Sequence, residues 1–151
     1  MGRPPISEFF GDHRWLSNFA AVDVELDGEI YPSVEHAYQA AKTHESELRR
    51  QIQEAKTPGE AKKIGSTITV PRSWKERKLR VMDMLLRQKF NKEPFRTKLA
   101  LTHGRLLIEG NWWGDTFWGV SKGVGENHLG KLIMAIRDGK STLHAEQASL
   151  F

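Results

Sequence analysis

The 151 residues include no cysteine, which excludes disulfides, thiolate nucleophiles and cysteine-based zinc sites. Long hydrophobic runs are missing as well. No stretch approaches the roughly 20 apolar residues of a membrane-spanning helix, so no membrane partner is expected. The first residues, Met1-Gly2-Arg3-Pro4-Pro5, carry no apolar run; no signal peptide is visible, and a cytoplasmic location is expected. There is no internal repeat, low-complexity segment or long linker. Histidines 13, 36, 44, 103, 128 and 144 are scattered, and His36 and His44 lie eight positions apart, not the four of a zinc-protease helix. No Ser-His-Asp elbow is present. No metal and no cofactor are expected.

What remains is an ordinary globular composition, 38% hydrophobic and 28% charged, long enough for one domain with a hydrophobic core. The net charge of +4 favours an anionic partner, a nucleic acid or a phosphorylated metabolite, although many unrelated soluble domains carry as much.

Hydrophobic periodicity predicts an α+β fold: a compact, helix-rich single domain with a small antiparallel β element. Val22, Val24 and Leu26 alternate with Asp23, Glu25 and Asp27, the period of a half-buried strand. Asp27-Gly28 predicts a tight turn, and Glu29-Ile30-Tyr31 a returning strand. Ser33 is a good cap for a helix from Val34 to about His44, with Val34, Ala37, Tyr38 and Ala41 forming its apolar stripe. A second helix is expected through about Ala55. Thr57-Pro58-Gly59-Glu60 is a capping box opening a third, stopped by Gly65. Ser73-Trp74-Lys75-Glu76 opens the longest, with Leu79, Met82, Leu85, Leu86 and Phe90 facing the core. Another is expected from Pro94 to Thr102, closed near Gly104. Leu106-Leu107-Ile108 reads as a short strand, and the glycine-rich, tryptophan-rich segment 111–126 as a functional loop. Asn127 is placed to cap the last helix. Residues 1–8 are expected to be a flexible N-terminus and 140–151 a poorly packed tail.

Glu35 and Lys42 stand seven positions apart, which on a helix returns both side chains to nearly the same face. A surface ion pair of little consequence has that spacing too. The small neighbours Ala37, Ala40 and Ala41 leave room for a ligand instead. A partly buried Glu can act as general acid or base, and a desolvated Lys can become a nucleophile that forms a Schiff base with an open-chain sugar. Trp112, Trp113, Phe117 and Trp118 cluster with Glu109 and Asp115. They either plug the core while the acids hold loop backbone, or form an aromatic wall that stacks a base while carboxylates read ribose. Gly123 to Gly130 runs from a glycine-rich loop into a helix start, a place where backbone amides bind phosphate.

These pieces, in this order, resemble the NADAR family, whose name refers to NAD and ADP-ribose. The matching residues are Trp15-Leu16-Ser17-Asn18-Phe19, Gly28 and the block from Tyr31 to Lys42. They continue with Ala61-Lys62-Lys63-Ile64-Gly65, Arg72-Ser73-Trp74 and Lys89-Phe90, then Asp115-Thr116-Phe117-Trp118-Gly119 and Gly125-Glu126-Asn127-His128-Leu129-Gly130. The resemblance covers about residues 9–138, and the domain is set at 9–139. It implies an N-glycosidase with catalytic Glu35, Lys42 and Asp115, and places Trp74 at the family's tryptophan after Arg-Ser. It departs at Leu16, where Phe is frequent, and at Ser121 after Trp118-Gly119.

The expected activity is hydrolysis of the bond between a base and a phosphorylated ribose, most of all release of ADP-ribose from ADP-ribosylated guanine in DNA or RNA. Cleavage of phosphorylated riboflavin-biosynthesis intermediates is the first alternative. The second is a module that binds NAD or ADP-ribose without turnover. Asn18, Phe19, His36, Arg72, Trp74, Trp118, Gly119, Gly125 and Asn127 are the expected substrate-binding residues. Lys62 and Lys122 are candidates to hold diphosphate.

Overall fold

The computed structural model describes residues 2–140, so the expected tail falls outside the described residues from position 141 onward. The chain divides into a unit of residues Asn18–Lys89 and a unit built from Met1–Ser17 with Phe90–Phe151. The fold class is α+β: a 3-10 turn, six α-helices and two small two-stranded sheets among the described residues.

In the Asn18–Lys89 unit, strands β1 (Ala21–Leu26) and β2 (Glu29–Ser33) form an antiparallel hairpin. Asp27 and Gly28 have φ of 51° and 85°, the double left-handed geometry that a tight hairpin turn requires. Val24 and Leu26 face inward, as their alternation predicts. The edge of β1 is closed by a side chain: Gln88 Oε1 accepts from Glu25 N at 2.7 Å and Gln88 Nε2 donates to Glu25 O at 2.8 Å.

The hairpin leads into helix α1 (Val34–Ala40). Helices α2 (Ser46–Glu54), α3 (Pro58–Gly65) and α4 (Trp74–Lys89) pack around it. All seven residues of α1 are buried, so the expected amphipathic stripe is replaced by a helix with no solvent face. Ser33 caps it as expected, accepting from His36 N at 3.0 Å. Thr57 Oγ1 caps α3 from Glu60 N at 3.1 Å, and Glu60 reaches back to Lys56 N at 3.0 Å. Gly65 ends α3, but the physical demand on it is contact. A Cβ there would stand 2.6 Å from Gln39 Cδ and 2.9 Å from Gln39 Cβ.

In the other unit, the segment expected to be a flexible N-terminus carries hydrogen bonds at Arg3, Pro4 and Ile6. Ile6 N donates to Leu106 O and Ile108 N to Ile6 O, each at 2.8 Å, and Arg105 Nε donates to Pro4 O at 2.8 Å. The expected strand at 106–108 is thereby reduced to a single parallel bridge between Ile6 and Leu107. Helix α5 (Phe95–Ala100) is shorter than expected, and Gly104 follows it at φ 79°. Strands β3 (Gly110–Asn111) and β4 (Val120–Ser121) form a two-residue parallel ladder inside the segment read as loop. Helix α6 (His128–Arg137) buries Leu129, Leu132 and Ile133.

Candidate active site

Glu35 occupies the first turn of α1 and is only 7% exposed. Its backbone N–H, one of the donors that a helix start leaves unpaired, donates to Asn18 O at 3.1 Å. Its carboxylate Oε1 accepts from Gln39 Nε2 at 2.8 Å, one helical turn along. An exposed, solvated ion pair is therefore excluded for this residue.

Lys42 lies beyond the end of α1, not within it. The helix stops at Ala40, and Lys42 N donates to Gln39 O at 3.2 Å in a tightened last turn. Arg49 of α2 holds that turn: its Nε donates to Ala40 O at 3.2 Å and Thr43 O at 2.7 Å, while Nη1 pairs with Asp27 Oδ2 at 2.8 Å. Lys42 Nζ sits 5.8 Å from the Tyr38 ring centroid, within cation–π range. Burial pushes its pKa below the ordinary lysine range. Glu35 acts in the opposite sense, while Lys62 and Lys78 add to the lowering. The result is a half-buried amine, electrostatically coupled to a buried carboxylate, that releases its proton more readily than a lysine in water.

The neighbours of this pair differ in part from expectation. Trp74 is a buried ring against Tyr38 at 5.3 Å, with Arg77 at 5.8 Å from its centroid. It is a wall of the helix cluster rather than an open stacking platform. His36 is committed to structure. Its Nδ1 lies 2.7 Å from Ser33 Oγ and its Nε2 3.0 Å from Ala55 O. A carbonyl only accepts, so Nε2 carries the proton and Nδ1 accepts from the serine hydroxyl. Both ring nitrogens of His36 are thereby engaged within the protein. Asn18 remains near Glu35 with a buried Oδ1 that has no hydrogen-bond partner among the described residues. Its Nδ2 faces only Met82 Sδ, at 3.6 Å. Phe19 is half-buried and Arg72 exposed.

The other expected residues lie in the second unit, where most polar groups are spent on the loop itself. Asp115 Oδ1 accepts from Phe117 N at 3.2 Å and Trp118 N at 2.9 Å. Asn111 clamps the same residue from its other side, accepting from Asp115 N at 3.0 Å and donating to Asp115 O at 2.9 Å. Asp115 Oδ2 takes no part in these bonds. Asn127 stands at the start of α6 with φ 54° and does not cap it. Its side chain accepts from Glu109 N at 3.0 Å and donates to Leu107 O at 2.9 Å.

The amides expected to cradle phosphate are used internally. Glu126, Asn127, His128 and Leu129 donate to the carbonyls of Thr116, Gly119, Phe117 and Trp118 at 2.7–3.2 Å. Gly119 is buried and Gly125 has φ 156°. Side chains at these positions would collide with Glu109 and with the Gly119 carbonyl, respectively. Both glycines thus serve the loop's close packing, and the amides of residues 126–129 are spent on the loop. Trp118 is half-buried and edge-on to Phe117 at 4.8 Å. The open rings are Trp112 and Trp113, which pack against Phe10.

A family model of the NADAR domain matches residues 8–139. The chain belongs to the NADAR family. N-glycosidase YbiA of Escherichia coli (strain K12) is 34% identical over 136 residues, 87% of this chain and 82% of that protein. The NMR structure of the E. coli protein YbiA superposes with a TM-score of 0.78 at 31% identity, covering 95% of this chain and 88% of that one. Riboflavin biosynthesis protein PYRR, chloroplastic, of Zea mays is 34% identical over 141 residues, covering 81% of this chain but 22% of the maize protein. Within the NADAR frame, Glu35 and Lys42 are brought together in one unit, while Asp115 lies in the other. Arg49 and Gln39, which hold Lys42 and Glu35, were not among the expected site residues. An arginine in the next helix carries no local signal, and Gln39 was legible only as a neighbour one turn from Glu35.

Proposed function

We propose that this protein is an N-glycosidase that hydrolyses the bond between a base and a phosphorylated ribose, with ADP-ribosylated guanine in DNA or RNA as its substrate. The observation that carries the reading is the coupled pair: buried Glu35 beside half-buried Lys42, whose amine is pushed toward its neutral, nucleophilic form by burial. Pure binding of ADP-ribose needs neither a buried carboxylate nor a lysine made easier to deprotonate. That favours turnover over a binding module.

The chemistry follows from these two groups. Opening of the ribose ring exposes C1 as an imine to the leaving base. Neutral Lys42 Nζ adds to C1. The C1–N bond to the base then breaks, its electron pair leaves with the base nitrogen, and Glu35 relays the proton that nitrogen gains. Water adds to the resulting lysine imine, C1–Nζ breaks, and the sugar closes as free ADP-ribose. Lys62 and Lys78, close enough to perturb Lys42, are assigned to the phosphate charge. The family resemblance also implies a catalytic role for Asp115, whose Oδ1 is committed to Phe117 N and Trp118 N.

The test is incubation of the purified protein with an oligonucleotide carrying ADP-ribosylated guanine, beside a Glu35→Ala control. Release of free ADP-ribose by the wild type alone is the expected result. Borohydride trapping of a covalent adduct at Lys42 is expected in the same mixture. A Lys42→Ala variant that turns over within a few fold of wild type ends the covalent role. A second reading rests on the maize relative named for riboflavin biosynthesis: the substrate is a phosphorylated intermediate of that pathway. Release of the sugar phosphate from such a compound, with no action on the oligonucleotide, would decide for it.

A further inference from the structure

The amide of Gln39 is placed at a cost. Its Nε2 donates to Glu35 Oε1 at 2.8 Å, while its Oε1 is buried with no hydrogen-bond partner among the described residues. A buried acceptor left unpaired is expensive. Turning the amide over would not relieve it without placing an oxygen against the carboxylate. The orientation is therefore set by Glu35, and the carboxylate is held strongly enough to outweigh the orphaned oxygen.

Gly65 makes the placement possible. Gln39 is 3% exposed and lies across the last residue of α3. A Cβ on residue 65 would come within 2.6 Å of Gln39 Cδ and 2.9 Å of Gln39 Cβ. The second contact is at the root of the side chain, so rotating the amide end does not remove it. Any side chain at position 65 must displace Gln39, and Gln39 cannot move without releasing Glu35. Gly65 is not at a positive φ, so turn geometry does not explain this glycine.

We infer that Gln39, wedged by Gly65, is a positioning residue for Glu35. It engages one carboxylate oxygen with an N–H donor and so fixes the orientation of the group before substrate arrives. Glu35 then meets the reacting centre in one orientation, set by Gln39 rather than by substrate. This deepens the N-glycosidase reading and rests on it for the word reaction, but the lock itself is a property of the free protein.

The test uses that independence. The carboxyl ¹³C resonance of Glu35, assigned by its loss in Glu35→Gln, is titrated in wild type, Gln39→Met and Gly65→Ala. Methionine keeps the length of the side chain and removes the donor. The Glu35 midpoint is expected to move upward by about one pH unit in Gln39→Met and in the same direction in Gly65→Ala. In a Gln39→Ala background, Gly65→Ala is expected to add nothing, because the group it displaces is gone. Where turnover is measurable, the acid limb of the kcat profile moves upward by the same amount with KM unchanged.

A midpoint unmoved in folded Gln39→Met overturns the proposal whatever the enzyme's substrate. A moved midpoint with no glycosidase activity in the wild type sinks the functional reading and leaves the lock standing. Should Gly65→Ala not fold, Gln39→Met still decides.

Discussion

Two carboxylates, Glu35 and Asp115, lie one in each unit of this chain, and their surroundings differ in kind. Around Glu35 the backbone is already satisfied: Ser33 caps the helix, Asn18 takes the Glu35 amide, and Gln39 takes one carboxylate oxygen. Lys42 stands close enough to this carboxylate to feel its charge. Around Asp115 the side chains do the work of the backbone. Asp115 Oδ1 serves two amides, Asn111 closes the loop neck, and Asn127 ties the loop to α6. The same residue types thus surround the proposed reactive pair where secondary structure has met the backbone's needs, and hold a loop together where it has not.

The comparison can be broken most sharply by removing charge without shape. Glu35→Gln is expected to lower kcat by about 10²–10⁴-fold, measured by product release, with little change in thermal midpoint. Asp115→Asn keeps an oxygen for Phe117 N and Trp118 N. It is expected to fold normally and lose roughly tenfold in kcat, well short of a lost electrostatic stabiliser at the reacting atoms. Equal losses in the two variants would end the distinction between centre and scaffold.

Asn127→Ala probes the scaffold directly. It strands Glu109 N and Leu107 O, and a loss of about 1–3 kcal/mol in chemical denaturation is expected, with kcat of the folded fraction retained.

The smallest effect sharpens the reactive side. Lys42 is depressed by burial, then by Lys62 and Lys78, against the opposing pull of Glu35. Removing a neighbouring cation lets Lys42 hold its proton more firmly. Lys62→Ala therefore moves the rising limb of the pH–rate profile to higher pH, and Lys78→Ala does the same to a smaller extent. The linked stability effect has the same origin. The folded state binds this proton more weakly than the unfolded chain does, so the stability contributed by Lys42 rises with pH through the window between its depressed value and the ordinary lysine range. A denaturation series across that window should show the slope shrink in Lys62→Ala.

Much of the fold was legible because local chemistry and tertiary structure agree. The alternation of 22–27 with Asp27-Gly28 predicts the hairpin, and Thr57-Pro58 with Glu60 predicts α3. The failures came where a distant side chain overrides a local signal. Ala40, Ala41 and Lys42 are good helix formers, yet α1 stops at Ala40 because Arg49 draws the Ala40 and Thr43 carbonyls to itself. Gly65 read as a stop because its contact with Gln39 is invisible along the chain. Leu106 to Ile108 had the composition of a strand but found only Ile6 to bridge. The helix start at 127–129 looked ready for phosphate until the 116–119 carbonyls were seen to fill it. Of the candidate site, the nearness of Glu35 and Lys42 was legible from spacing, while the role of Asp115 rests on the family resemblance. The groups that orient the pair were not.

Helix α1 has no face in water. In the proposed reading, substrate meets Glu35 at the margin of a helix that is itself part of the folding core, so local opening of α1 would cost core packing. Its amides should exchange with solvent only when the surrounding core unfolds. The carboxylate is then as durable as the fold, and any substitution in α1 that retunes the chemistry is also a substitution in the interior. Diversity of substrate within such a design has to come from the elements around α1.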